Sequence, residues 1–302
     1  MSANTVVDEF EFKPIQFQTA QGDLGFHNIN DGDENQRPDI IDEMCMGMFV
    51  QARLDRVVHG TETQGGEPAT LIVFGFRFHG LHKERRLRTA EIKILFQDEK
   101  KRARKDPVVV GMWPNGEFTL TETPVKMRNL TGGEVGGEAG AVGLAATVAL
   151  KLERETEYQY NDRSTITGSI ILDLKVRNYG PKNAVRLTLT EDESNKTGVV
   201  TDLRVPVLVL RKGADTDRFG VFVKITATGN FLQNTAWGLR NLCHAPANDP
   251  VWMKPGLDYL RAPTLASALE EKLAAEVEKD ALGKLLSNLE DFGAALGTTK
   301  LA

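Results

Sequence analysis

The stretch LRVPVLVLRKGADTDRFGVFVKITAT (Leu203–Thr228) decides the fold. Val205, Val207 and Val209 alternate with Arg204, Pro206 and Leu208. Beyond the turn-rich segment Lys212–Asp217, Phe219, Val221, Val223, Ile225 and Ala227 alternate with Lys224, Thr226 and Thr228. A repeat of two on both sides of a short Gly/Asp loop is what two antiparallel strands with one buried face require, so a hairpin is expected here.

Working outward, the same period recurs. Ala184–Leu189 reads as a strand. So do Ala69–Phe78, with Ile72, Phe74, Phe76 and Phe78 on one face, and Arg86–Phe96, with Ala90, Ile92, Ile94 and Phe96 inward. Met44–Val58 reads as one long strand in which Met44, Met46, Met48, Val50, Ala52 and Leu54 share a face, the methionines as gap-filling core. Short strands at Val108–Trp113 and Glu117–Thr121 flank the turn Pro114-Asn115-Gly116. A first strand, bent at Pro14, is expected over Phe10, Phe12, Ile15 and Phe17. Ala146–Tyr160 and Ile166–Val176 read as a hairpin turning at Asn161–Ser164, preceded by a Gly/Ala/Glu-rich connection at 131–143.

Strands at short, regular spacing define a mainly β chain: an antiparallel β-sandwich with a C-terminal α-helical segment. Residues 1–230 form the sandwich, with a division into two sub-sheets near 130–145. Residues 231–302 form an irregular linker and C-terminal amphipathic helices. In that tail Ser267 and Glu270 have capping-box spacing, and two apolar stripes meet near Gly283, which two helices or one bent helix would satisfy. The candidate interaction residues are Leu265, Leu269, Leu273, Val277, Leu282, Leu286, Leu289 and Phe292. Such a stripe covers either a partner or the chain's own sheet.

The chain's 302 residues, 41% hydrophobic and 26% charged, are ordinary for a globular protein, and a net charge of -5 disfavours nucleic acid as a partner. Cys45 and Cys243 supply neither a disulfide framework nor a zinc spacing. With no signal peptide or membrane-spanning helix in the pattern, a cytoplasmic setting is expected. The basic run Lys100–Lys105 also fits a minimal nuclear-import pattern, against the plainer reading of a solvated loop.

The local signatures of catalysis are missing. His79 and His82, with Glu84 nearby, read as surface residues at a strand end rather than a metal pair. Asp31, Asp33 and Asn35 open like a calcium loop but lack its glycine and distal glutamate. The glycines at 131–143 have neither dinucleotide nor phosphate-loop spacing. No catalytic residue, cofactor, metal or small-molecule ligand is therefore assigned. The expected role is non-catalytic: self-assembly into a homo-oligomer, or binding of another protein. The alternative is a membrane-active or pore-forming protein using the 141–176 hairpin. A further alternative is an enzyme with a dispersed site.

Taken in order, YGPKNAVR (Tyr179–Arg186), KTG (Lys196–Gly198), LRVPVLVLRK (Leu203–Lys212) and NDPV (Asn248–Val251) resemble a family of β-rich intracellular proteins of filamentous fungi, over roughly 85–255. The resemblance implies a fungal source and an intracellular setting. It implies no activity and no catalytic residues, and the segment Thr264–Ala302 lies outside it.

Overall fold

Alternating burial along each strand leaves two apolar faces that only a second layer can cover, and the chain meets that need with two packed sheets. The structure is a computed structural model describing residues 28–45, 48–80, 86–135, 150–212, 217–229, 249–257, 259, 277–289 and 291–292. Its strands are β1 (Asp39–Cys45), β2 (Met48–Thr61), β3 (Pro68–Gly80), β4 (Leu87–Asp98), β5 (Val108–Met112), β6 (Gly116–Val135), β7 (Leu150–Ile171), β8 (Ala184–Thr190), β9 (Asp202–Leu210), β10 (Phe219–Gly229) and β11 (Val251–Met253). A 3-10 turn covers Ala103–Lys105 and a 3-10 helix covers Lys279–Ser287. One sheet has five strands in the order β1-β2-β3-β9-β5, and the other has six, β11-β10-β4-β8-β7-β6. Every pair is antiparallel.

The core lies between the sheets. Leu54, Ile72, Phe74 and Phe76 enter it from the five-stranded sheet, and Ile92, Ile94, Phe96 and Leu187 from the six-stranded one, all fully buried. Phe74 bridges the layers, its ring 6.3 Å from Phe76 and 6.4 Å from Phe96. The antiparallel β-sandwich expected from the pattern is the fold.

Strand pairing departs from the sequence reading in three places. The Leu203–Thr228 hairpin does not form, because β9 and β10 belong to opposite sheets and the chain arches between them. An arch and a hairpin present the same apolar alternation, one across the core and one along a sheet, so period alone does not separate them. Met44–Val58 is two strands, with Cys45 paired to Met48. And no turn occurs at Asn161–Ser164: β7 runs unbroken for 22 residues and pairs with β6, not with the residues that follow it. The composition of Asn161–Ser164 is that of a turn, but the pairing with β6 continues through it, and Ser164 is already buried where β7 enters the sandwich body.

The turn at Pro114–Gly116 also joins the two sheets, with Gly116 at φ +115. A Cβ placed on Gly168 would stand 1.9 Å from the Pro114 carbonyl oxygen, so the crossing requires glycine beneath it. The expected strand over Phe10–Phe17 and the stretch 136–143 lie outside the described residues. The described part of the tail is a 3-10 helix over Lys279–Ser287 and turns α-helical at Leu289 and Asp291–Phe292, where the Phe292 N–H donates to the Asn288 carbonyl at 2.9 Å. Its Gly283 N–H donates to the Glu62 carbonyl at 2.8 Å, drawing that group out of the helical ladder, and Ala281 interrupts it with φ -152.

Candidate functional site

Beyond the sandwich body, β6 and β7 continue alone. β7 pairs with β8 only over Thr165–Ile171, whereas its pairing with β6 runs from Leu150 to Gly168. Residues 121–135 and 150–164 therefore make a two-stranded ribbon, roughly 50 Å long at the usual rise of a strand. β6 is the outermost strand of its sheet, and β7 over 150–164 has no second neighbour among the described strands. Both ribbon edges thus present main-chain N–H and C=O groups without a strand partner among the described residues.

The ribbon's register sorts its residues by character. Val125 stands across from Tyr160, Met127 from Tyr158, Gly133 from Leu152 and Val135 from Leu150. In the intervening pairs Glu122 stands across from Arg163, Arg128 from Glu157 and Glu134 from Lys151. Elsewhere a charged residue stands across from a neutral one, as Lys126 from Gln159, Leu130 from Glu155 and Gly132 from Glu153, while Asn129–Thr156 and Thr131–Arg154 interrupt the apolar series. Sequence reading found the amphipathic pattern in this region but gave it the wrong partner strand.

The C-terminal segment forms a strap across the outer face of the five-stranded sheet. Leu282, Leu285, Leu289 and Phe292 are buried against Val58, Ala69, Leu71, Val73, Trp113 and Leu208, with Val277 at the margin. A Cβ on Gly60 would come within 1.9 Å of the Lys279 carbonyl oxygen, so the strap lies directly on the strand. Of the predicted interaction residues, Leu282, Leu289 and Phe292 thus face this chain's own sheet and Val277 packs partly against it. Leu286 is 39% exposed, with its Cδ2 lying over Gly111 of β5. Leu265, Leu269 and Leu273 lie outside the described residues.

A cleft of about 220 Å³ opens at one end of the sandwich, between the end of β3, the start of β4 and the β8–β9 connection. Met48, Phe78, Leu87 and Val199 form its buried floor, and His79, Arg86, Lys196 and Thr201 stand at its rim. Glu191, buried, anchors that rim. It accepts from Arg86 Nε at 2.7 Å, from Arg88 Nε at 3.2 Å and from the Gly198 N–H at 3.2 Å. No sequence motif pointed here, since the residues come from separate stretches.

Three ionic groups hold the sandwich's crossings. Between β4 and β5, Asp98 accepts from Arg102 at 2.9 and 2.7 Å, and that hydrogen bonding keeps its carboxyl below the usual carboxylate range. Arg102 also reaches Asp217 at 3.1 Å, and Lys105 Nζ donates to the Lys212 carbonyl at 3.0 Å. Part of the basic run is therefore engaged, while Lys101 and Arg104 are exposed. Asp106 is buried beside Arg177 at 3.1 Å; burial pushes its carboxyl up despite that cation. Arg177 donates to the Tyr179 and Pro181 carbonyls, both at 2.7 Å, which fixes the YGP loop. At Asp173 burial acts upward, but the Lys93 hydrogen bond and the Lys175 N–H together hold the carboxyl low.

Among the described residues, no group of three or more His, Cys, Asp or Glu side chains is placed to hold a metal ion. His59 engages Thr70 at 2.9 Å and Gln36 at 2.6 Å through its two ring nitrogens; His82 and Glu84 lie outside the described residues. No described helix is long and apolar enough to cross a membrane, which leaves strands untouched. Compared with protein-family models and with curated proteins, the chain matches none.

Proposed function

We propose that this protein works by assembling with further copies of itself through the β6–β7 ribbon, without catalysing a reaction. The observation that carries the reading is the ribbon's pair of edges, β6 along its 20 residues and β7 along 150–164, neither paired to a further strand among the described residues. A two-stranded ribbon is marginal alone in water and gains from a third strand or a covered face. Every second residue of an edge strand directs its N–H and C=O outward. A second copy brings the same edge in the opposite direction, so a two-fold pairing joins matching groups over the ribbon's length. Each hydrogen bond gained is worth about 0.5–1.5 kcal/mol net, enough over several pairs to offset the entropy of association.

A membrane role is the second reading, and the ribbon's register favours it. Val125–Tyr160, Met127–Tyr158, Gly133–Leu152 and Val135–Leu150 recur in one alternate series of pairs, and 150–164 exceeds the roughly 9–11 residues a strand needs to cross a bilayer. One experiment separates the two. The full chain and a variant with 122–163 replaced by an Asn-Gly turn are compared by light scattering and by dye release from anionic liposomes. Self-assembly predicts a full-length oligomer that becomes monomeric on shortening, with no dye release. A full chain that is monomeric at about 100 µM overturns it. Dye release by the full chain alone replaces it with the membrane reading.

A further inference from the structure

We infer that the cleft between the end of β3, the start of β4 and the β8–β9 connection binds a small amphiphilic anion: a carboxylate or phosphate head on a short apolar chain. The inference stands apart from assembly through the ribbon. Its basis is the pairing of a hydrocarbon floor with a cationic rim. Met48, Phe78, Leu87 and Val199 are buried around the base, an arrangement that favours an apolar tail over water. At about 220 Å³ the space matches roughly seven waters, or a ligand of about ten non-hydrogen atoms.

The rim is built rather than incidental. Arg86 is oriented by Glu191, which is itself held by Arg88 and the Gly198 N–H, so the guanidinium is fixed before any ligand arrives. The rim loop is pinned to the start of β4 by the Glu191 N–H on the Arg88 carbonyl and the Val199 N–H on the Leu87 carbonyl, both at 2.9 Å. Within that loop Lys196 adopts a left-handed backbone at φ 53, a conformation a lysine enters at a cost. Its backbone N–H is used, donating to the Asp192 carbonyl at 2.9 Å. Its ammonium has no ion pair among the described residues. Across the opening, the His79 ring lies 4.7 Å from Phe49, which sets its plane. Glu191 is committed to two arginines, so Lys196 and His79 remain to meet a negative head. A cation would face Arg86 and Lys196 together; a neutral alcohol would use the floor alone.

The test is calorimetric titration of the full chain with hexanoate and with hexyl phosphate, against hexan-1-ol and inorganic phosphate. The variant is Lys196→Asn, because asparagine accepts the left-handed backbone while removing the charge; Arg86 is left in place because it anchors Glu191. One amphiphilic anion is expected to bind in one-to-one ratio with a Kd on the order of 0.1–1 mM, the stronger of the two identifying the head. Hexan-1-ol and phosphate are expected to bind at least ~10-fold more weakly, and Lys196→Asn to weaken the anion by ~10-fold with an unchanged melting profile. No heat from either amphiphile up to ~10 mM overturns the inference. So does hexan-1-ol binding as tightly as the anions, or affinity unchanged in Lys196→Asn.

Discussion

Replacing Leu282 by alanine tests how the C-terminal strap is held. Leu282 is 0% exposed and sits among Val58, Leu71, Val73 and Leu208 on the outer face of the five-stranded sheet. Truncating a fully buried leucine costs about 2–5 kcal/mol, the lower figure where the site collapses onto the space. Collapse is restricted here. The strap already touches the strand at Gly60, and Gly283 is hydrogen-bonded to Glu62, so the backbone cannot sink further. The strap crosses the outside of the sandwich and takes no part in the core between the sheets, so the loss is expected as local undocking. At 2 kcal/mol the docked-to-undocked ratio falls roughly 30-fold. Hydrogen exchange read by mass spectrometry should show faster exchange over 277–292, with β4 and β10 unchanged. A hydrophobic dye should report the uncovered face. Leu286→Ala is the comparison, since Leu286 rests on Gly111 but is 39% exposed and should lose less, about 1–2 kcal/mol. Equal effects of the two substitutions, or unchanged exchange over 277–292 in Leu282→Ala, would refute the account.

Gly168→Ala should destabilise by about 1–3 kcal/mol, because its Cβ would meet the Pro114 carbonyl oxygen at 1.9 Å; an unchanged thermal melt counts against the crossing described. Arg177→Met leaves Asp106 buried without its cation and the YGP carbonyls without donors, at about 3–5 kcal/mol; adding Asp106→Asn should recover part of that loss in denaturant titrations. Asp98 and Asp173 titrate lower folded than unfolded. Their stabilisation is present above about pH 4 and is lost as pH falls through the folded values. Asp106, raised by burial, has the opposite sign: its contribution is fullest in acid and falls away as pH rises through its folded value. Asp98→Asn should therefore flatten the acid limb of a stability-against-pH curve, and an unaltered limb would contradict the assignment.

What the sequence made legible was burial, and what it hid was partnership. Ile72, Phe74, Phe76, Ile92, Ile94 and Phe96 all lie in the core their alternation indicated, because one buried face imposes period two whatever the neighbour. Which strand lies beside which depends on how loops cross, and Lys212–Asp217 has the same turn-rich composition whether it folds a hairpin or an arch. The ribbon was half visible: its alternation could be read from Ala146 onward, but the polar Asn161–Ser164 looked like an end when it is the point where β7 leaves the body. The strap's stripe was visible, and its face was set by Gly60, a residue far away in the chain. The cleft had no signal, since His79, Arg86, Lys196 and Thr201 meet only through two crossings between sheets.

Because β7 passes without interruption from the distal ribbon into the six-stranded sheet, the arm and the body form one beam. Displacement imposed at its far end is not absorbed by a hinge. It arrives as shear along the seven residue pairs from Thr165–Thr190 to Ile171–Ala184, and through Leu187 and Val185 at the centre of the hydrophobic interior. Among the described pairs of β6 and β7, the register shifts once, between Thr119 and Thr121, near the root of the arm. Whatever grips the arm thereby acquires mechanical leverage over the interior of the sandwich.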